Sequence, residues 1–157
     1  MKKGTSSITR IGLLIAMSVI GKFLSVTLGP FRFGTENLPI LLSGIMLGPT
    51  AGAVTGGLSD ILGCLLVGYP INPIITIGAT SIGCICGFLY KEKCWIFRSI
   101  LIAHIVGSVI IKSIGLFIYY AYPISLLMFR VIEYLITATI EWILVKELIS
   151  RFKNNLS

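Results

Sequence analysis

The stretch FRFGTENLPILLSGIMLGPTAGAVTGGLSDILGCLL, residues 31–66, carries only three charges, Arg32, Glu36 and Asp60. Its apolar positions run on continuously instead of alternating with polar ones, so it reads as buried or lipid-facing helix and not as a half-wet strand. Gly48-Pro49 divides it, because glycine ends a helix readily and proline opens the next one. Two helices are expected, near 36–48 and 50–68. Their combined length favours two tilted crossings over one kinked helix. Gly44, Gly48, Gly52 and Gly56 recur every four residues, a flat stripe along which another helix can approach closely.

Working outward, four more apolar runs bounded by Gly, Pro or charge predict helices near 8–28, 72–90, 96–121 and 123–151. The whole chain of 157 residues is 55% hydrophobic and 12% charged, with a mean hydropathy of +0.97. Soluble domains carry roughly 25% charged residues. There is too little polar surface here to face water, and too much apolar residue for disorder. A β-barrel would need strands of alternating polarity, and unpaired backbone is forbidden in lipid. The fold class is therefore all-α: one integral membrane bundle of six transmembrane helices filling residues 1–157, with no separate extramembrane domain.

The formal net charge is +7, from 13 Lys and Arg against 6 Asp and Glu. Nucleic acid is not the expected partner, because the basic residues cluster where cytoplasmic loops would lie. With the N-terminus inside, the inner segments hold Lys2, Lys3, Arg10, Lys91, Lys93, Arg98, Arg151 and Lys153, and the outer loops only Arg32. Both termini are thus expected in the cytoplasm. Cys64, Cys84, Cys86 and Cys94 show no CxxC spacing and read as small packing residues. No A-x-A cleavage pattern follows the first apolar run, which is expected to remain as a helix.

An ionisable group in a membrane interior costs several kcal/mol unless it lines water or finds a partner, so each is a candidate for function. Away from the cytoplasmic ends these are Lys22, Arg32, Glu36, Asp60, Lys112, Arg130 and Glu133. The expected topology sets all seven in the outer half of the bundle, as in an outward-opening polar cavity with four cations and three anions. Arg130, Glu133, Tyr134 and Thr137 share one helix face, and so do Ser108, Lys112, Gly115 and Tyr119. Such a site suits carboxylates or phosphates at its bases and amino or ring N–H donors at its acids. Tyr69, Asn72, Tyr119, Tyr120, Tyr122 and Tyr134 could stack on a ring or bond to it, although Tyr also gathers at membrane interfaces, an equal reading for Tyr120 and Tyr122. The single histidine, His104, is expected to pack or hydrogen-bond in the inner half. No HExxH, GxSxG or GxxxxGK[ST] occurs, so neither a metal nor a cofactor is expected, and any ATP hydrolysis must belong to another subunit.

In the quoted stretch, Leu38-Pro39, Gly44, Gly48-Pro49, Gly52, Gly56, Asp60 and Gly63 resemble the substrate-binding S components of energy-coupling factor (ECF) vitamin transporters. The likeness runs from Ile11 to about Ile149 and is strongest to the folate-specific branch. It implies a non-enzymatic binding subunit in a bacterial plasma membrane. Its pocket opens outward beneath the loop holding Arg32, Phe33 and Gly34. A small-xxx-small face on the first helix, here Gly12 and Ala16, would meet the transmembrane coupling subunit, with two ATPase subunits beyond it. On this reading folate is bound by Arg32, Phe33, Glu36, Asp60, Tyr69, Asn72, Lys112, Tyr119, Arg130, Glu133 and Tyr134. The alternatives are the same architecture with thiamine, pantothenate or a queuosine precursor, or a self-contained carrier, although no inverted repeat is visible. A membrane enzyme using Asp60 or Glu133 as a base lacks the usual motifs.

Overall fold

A computed structural model of the chain describes residues 2–28, 31–91, 95–121 and 123–154. Six helices form the bundle: α1 (Lys2–Phe23), α2 (Asn37–Leu47), α3 (Pro49–Val67), α4 (Pro73–Lys91), α5 (Ile96–Tyr120) and α6 (Ile124–Asn154). Five of the six agree with the sequence reading to within a few residues. The first does not: α1 stops at Phe23, and Val26–Leu28 is β1 of a small hairpin whose second strand, β2, is Phe31–Phe33. The strands are antiparallel, Val26 opposite Phe33 and Leu28 opposite Phe31. β-branched Val26 and Thr27 favour extended backbone, which outweighs the apolar run that suggested continuing helix.

Among the described residues three helices are long and apolar enough to cross a membrane on those grounds alone: α3, α4 and α5. α1 and α6, at 22 and 31 residues, are long enough but carry charges. α2 has 11 residues, a rise of about 16 Å against a hydrocarbon core of about 30 Å. Large apolar side chains such as Leu13, Met17, Leu66, Phe117, Ile118 and Ile136 are exposed on the bundle surface. In lipid such exposure is solvation, with no hydrophobic cost.

α2 and α3 are two helices and not one kinked rod. Gly48 between them has φ +100° and ψ 172°, a conformation open essentially to glycine, and Pro49 starts α3 without needing its missing N–H. The turn brings Gly44 and Gly52 opposite each other, and both lie against Gly83 of α4. A Cβ at Gly83 would overlap the Gly52 carbonyl, and one at Gly87 would stand 2.6 Å from the Gly44 carbonyl oxygen. The glycine stripes thus pack α2, α3 and α4 backbone to backbone.

α5 is α-helical over Ile96–His104 and Lys112–Tyr120 but π-helical over Ile105–Ile111. There the wider turn sets the Gly107 carbonyl against Gly78 of α4, where a Cβ would meet that oxygen at 2.7 Å. The bundle is divided along its length. An apolar core of Ile40, Leu41, Ile45, Ile82, Cys86, Ile100, Ala103, Ala138 and Val145 fills one half. The other half, toward the hairpin, is polar. Cys64 and Cys86 are buried free thiols and Cys84 is an exposed one, while Cys94 lies outside the described residues.

Candidate functional site

The polar half encloses a cavity of about 170 Å³ lined by Lys22 from α1, Gly34, Glu36 and Asn37 around the start of α2, and Asp60 from α3. Ile75 of α4, Lys112 and Leu116 of α5, and Arg130, Glu133, Tyr134 and Thr137 of α6 complete the wall. A smaller space continues from it between Ser18, Ser59, Asp60 and Ala79.

An ion pair joins α1 to α3 on this wall. Lys22 Nζ donates to Asp60 Oδ1 at 2.6 Å, to the Asp60 carbonyl at 3.2 Å and to Cys64 Sγ at 3.2 Å. These contacts draw on the three N–H donors of the ammonium. Thr76 Oγ1 donates to Asp60 Oδ2 at 2.7 Å. Each oxygen of Asp60 thus takes one protein donor and keeps lone-pair capacity for another. Room for the lysine stem comes from Gly63, where a Cβ would meet Lys22 Cδ at 2.5 Å. Gly78 does the same for Lys112, with a Cβ 2.6 Å from Lys112 Cγ.

The α6 side of the wall is built by helical spacing. Arg130 Nη2 donates to the Tyr134 hydroxyl at 3.0 Å, and the guanidinium lies 5.3 Å from the centroid of the same ring. Its Nε is buried without a partner among the described residues, and so is Oδ1 of Asn37, a residue only 4% exposed. Buried donors and acceptors are nearly always paired, so an orphan donor and an orphan acceptor on the same cavity wall point to a ligand presenting both an acceptor and a donor.

Of the residues the sequence nominates, Glu36, Asp60, Lys112, Arg130, Glu133 and Tyr134 come together on the wall. Arg32 and Phe33 belong to β2, but their side chains lie outside the described residues. Tyr69, Asn72 and Tyr119 stand off the wall. Tyr69 and Tyr119 are 46% and 57% exposed, as interfacial tyrosines are. Asn72 is buried and caps α4: its Oδ1 accepts from the Ile74 and Ile75 N–H groups, and its Nδ2 donates to the Gly115 carbonyl. Sequence reasoning passed over Asn37 and Thr76, because an uncharged polar residue in an apolar segment carries little penalty to attract notice.

The charges on the described wall balance, Lys22, Lys112 and Arg130 against Glu36, Asp60 and Glu133. The basic excess read from the sequence came from Arg32. Gly12 and Ala16 are exposed on α1, and nothing lies within 4 Å of a Cβ placed at Gly12. Among the described residues no group of three or more His, Cys, Asp or Glu is placed to hold a metal ion.

The family model described as ECF transporter, substrate-specific component, matches residues 6–152. A curated relative, the folate transporter FolT of Clostridium novyi (strain NT), is 30% identical over 110 residues, 68% of this chain and 63% of the relative. The chain thus spans less than two thirds of that relative's length. Among solved structures, FolT bound with folic acid is similar at a TM-score of 0.73, with 25% identity over 92% of each chain. The S component of a bacterial ECF transporter gives 0.80 at 20% identity, covering 98% of this chain and 99% of the other. An S component for biotin gives 0.71 at 20% identity, covering 98% and 93%. The fold is shared across all three, and by its match over residues 6–152 the chain belongs to the membrane-embedded family of ECF transporter substrate-specific components.

Proposed function

We propose that the chain captures a folate in the cavity beneath its hairpin, for uptake driven by ATP hydrolysis in separate subunits. The observation that carries this reading is the pair of orphaned groups on the wall, Arg130 Nε as donor and Asn37 Oδ1 as acceptor. A folate supplies both complements at its ring end, where amino and ring N–H donors stand beside carbonyl and ring-nitrogen acceptors. Glu133, Asn37 and the spare acceptor positions of Asp60 take the amino and ring hydrogens, Arg130 and Lys112 donate to the carbonyl and nitrogen acceptors of the same ring, and the glutamate carboxylates are left for Arg32. The FolT relative and the folic-acid-bound FolT structure support the same substrate. Pockets that bury whole drug-sized ligands run to about 300–1,000 Å³. A cavity of about 170 Å³ takes one end of the molecule and directs the remainder past Gly34 toward the hairpin, where Arg32 and Phe33 are carried.

Calorimetric titration of the purified chain with folic acid tests this reading. One-to-one binding is expected, and Arg130→Ala should weaken it about 10- to 100-fold, the worth of one charge-assisted hydrogen bond. Heat from pantothenate or thiamine and none from folic acid would assign the cavity to another vitamin.

The rest of the reading follows the family. Both termini lie in the cytoplasm of a bacterial cell, where the basic segments at the chain's inner ends would stand. The exposed Gly12–Ala16 face of α1 docks against the transmembrane coupling subunit, beyond which two ATPase subunits act. Gly12→Trp should abolish uptake of labelled folate by cells expressing the complete transporter while leaving the Kd of the isolated chain unchanged. Unimpaired uptake would show that this face is not the interface.

A further inference from the structure

Below the cavity, where α5 changes from α- to π-helix, lies a buried polar cluster with no part in the site described above. His104 is 1% exposed, and its Nε2 shares a hydrogen bond of 2.5 Å with Oε2 of Glu141 on α6. Its Nδ1 lies 3.2 Å from Ser108 Oγ. The other Glu141 oxygen, Oε1, is buried and unpartnered among the described residues. Such a pair is a poor choice for stability alone, because well-packed apolar side chains of the same volume usually do as well or better.

The geometry ties the pair to the cavity. The imidazole is stacked on the Tyr134 ring, with centroids 5.7 Å apart and planes 23° from parallel. Tyr134 also lines the cavity, and its hydroxyl takes the Arg130 hydrogen bond at 3.0 Å. The chain of contacts therefore runs Glu141, His104, Tyr134, Arg130, from the apolar half of the bundle to the cavity wall. The π-helical segment Ile105–Ile111 lies between His104 and Lys112, so the cavity's α5 lysine is set by the same piece of backbone. π-helical turns often mark functional sites.

We propose that His104 and Glu141 are positioning residues for ligand recognition: locked together across α5 and α6, they hold the Tyr134 ring from behind and so fix the Arg130 guanidinium at the cavity. Neither touches the ligand. The inference rests on the cavity being the folate site. It adds that affinity is set in part by a pair lying outside that cavity.

The experiment is a double-mutant cycle read by calorimetry with folic acid on the full chain. His104→Ala should weaken binding about tenfold, yet add little once Arg130 is already alanine, since residues acting through one another are not additive. Glu141→Gln keeps an acceptor for Nε2 and should bind within about twofold of wild type, whereas Glu141→Ala should behave as His104→Ala does. A merely structural role for the pair predicts additive losses and no rescue by Gln. If His104→Ala cannot be recovered folded, Tyr134→Phe carries the test, because it keeps the ring on His104 and removes only the hydroxyl that accepts from Arg130. It should bind about tenfold more weakly. Full affinity in either His104→Ala or Tyr134→Phe, or additive losses in the cycle, would overturn the positioning role and leave folate capture standing. A wild-type chain that gives no heat with folic acid removes folate capture, and this inference falls with it.

Discussion

Gly83→Val is expected to prevent recovery of a folded, monodisperse protein from detergent. At this position α4 meets the α2–α3 hairpin backbone to backbone, and an added Cβ would overlap the Gly52 carbonyl group. Overpacking usually costs about 1–3 kcal/mol because neighbouring side chains can shift. No side chain is available to shift here. The helices must part, and the loss should reach 3 kcal/mol or more, roughly a third of the stability of an ordinary domain. Gly12→Val is the matched control, since a Cβ there meets nothing within 4 Å and the isolated chain should tolerate it. Thermal unfolding followed by size-exclusion chromatography separates the two variants, and equal stability would contradict the close packing described above.

The second large effect concerns the buried ion pair. Asp60→Ala leaves the Lys22 ammonium, 5% exposed, with no carboxylate at 2.6 Å. Removing one partner of a buried pair costs about 3–5 kcal/mol, whereas replacing both by apolar groups is often neutral. The double variant Lys22→Met, Asp60→Leu should therefore recover most of the thermal stability that Asp60→Ala loses, while binding folic acid poorly because the inner wall has lost its acid. Stability in the double variant as low as in Asp60→Ala would trace the cost to packing around Gly63 and Thr76 instead of to charge. Recovery of both stability and binding would remove Asp60 from the proposed site.

The helices were legible because lipid forces every backbone group to be paired within its own segment, so apolar length and the Gly48-Pro49 break suffice to place α2 to α6 within a few residues. The hairpin after α1 was not. Its strands are three residues each, too short for alternation to stand out from the apolar run before them. The π-helical stretch of α5 was invisible for another reason: it is selected by the approach of Gly107 to Gly78 on a different helix, which no local propensity encodes.

The site divides in the same way. Glu36, Asp60, Lys112, Arg130 and Glu133 could be nominated from the sequence because a charge in a membrane interior is costly wherever it stands, and the chain keeps it only with a partner or a wet cavity. Which charge meets which was decided by the tertiary structure. Lys22 and Asp60 are 38 residues apart, and His104 and Glu141, separated by 37 residues, gave no sign of each other in the sequence. Asn72, nominated for a ligand, turned out to cap α4. The sequence alone determined that this chain is a helical bundle living in lipid with polar groups gathered in one half, because solvation energy acts on each residue separately. Only the tertiary structure decided which of those groups satisfy one another and which face the cavity, because hydrogen bonds act over about 3 Å and depend on how helices distant in sequence are packed.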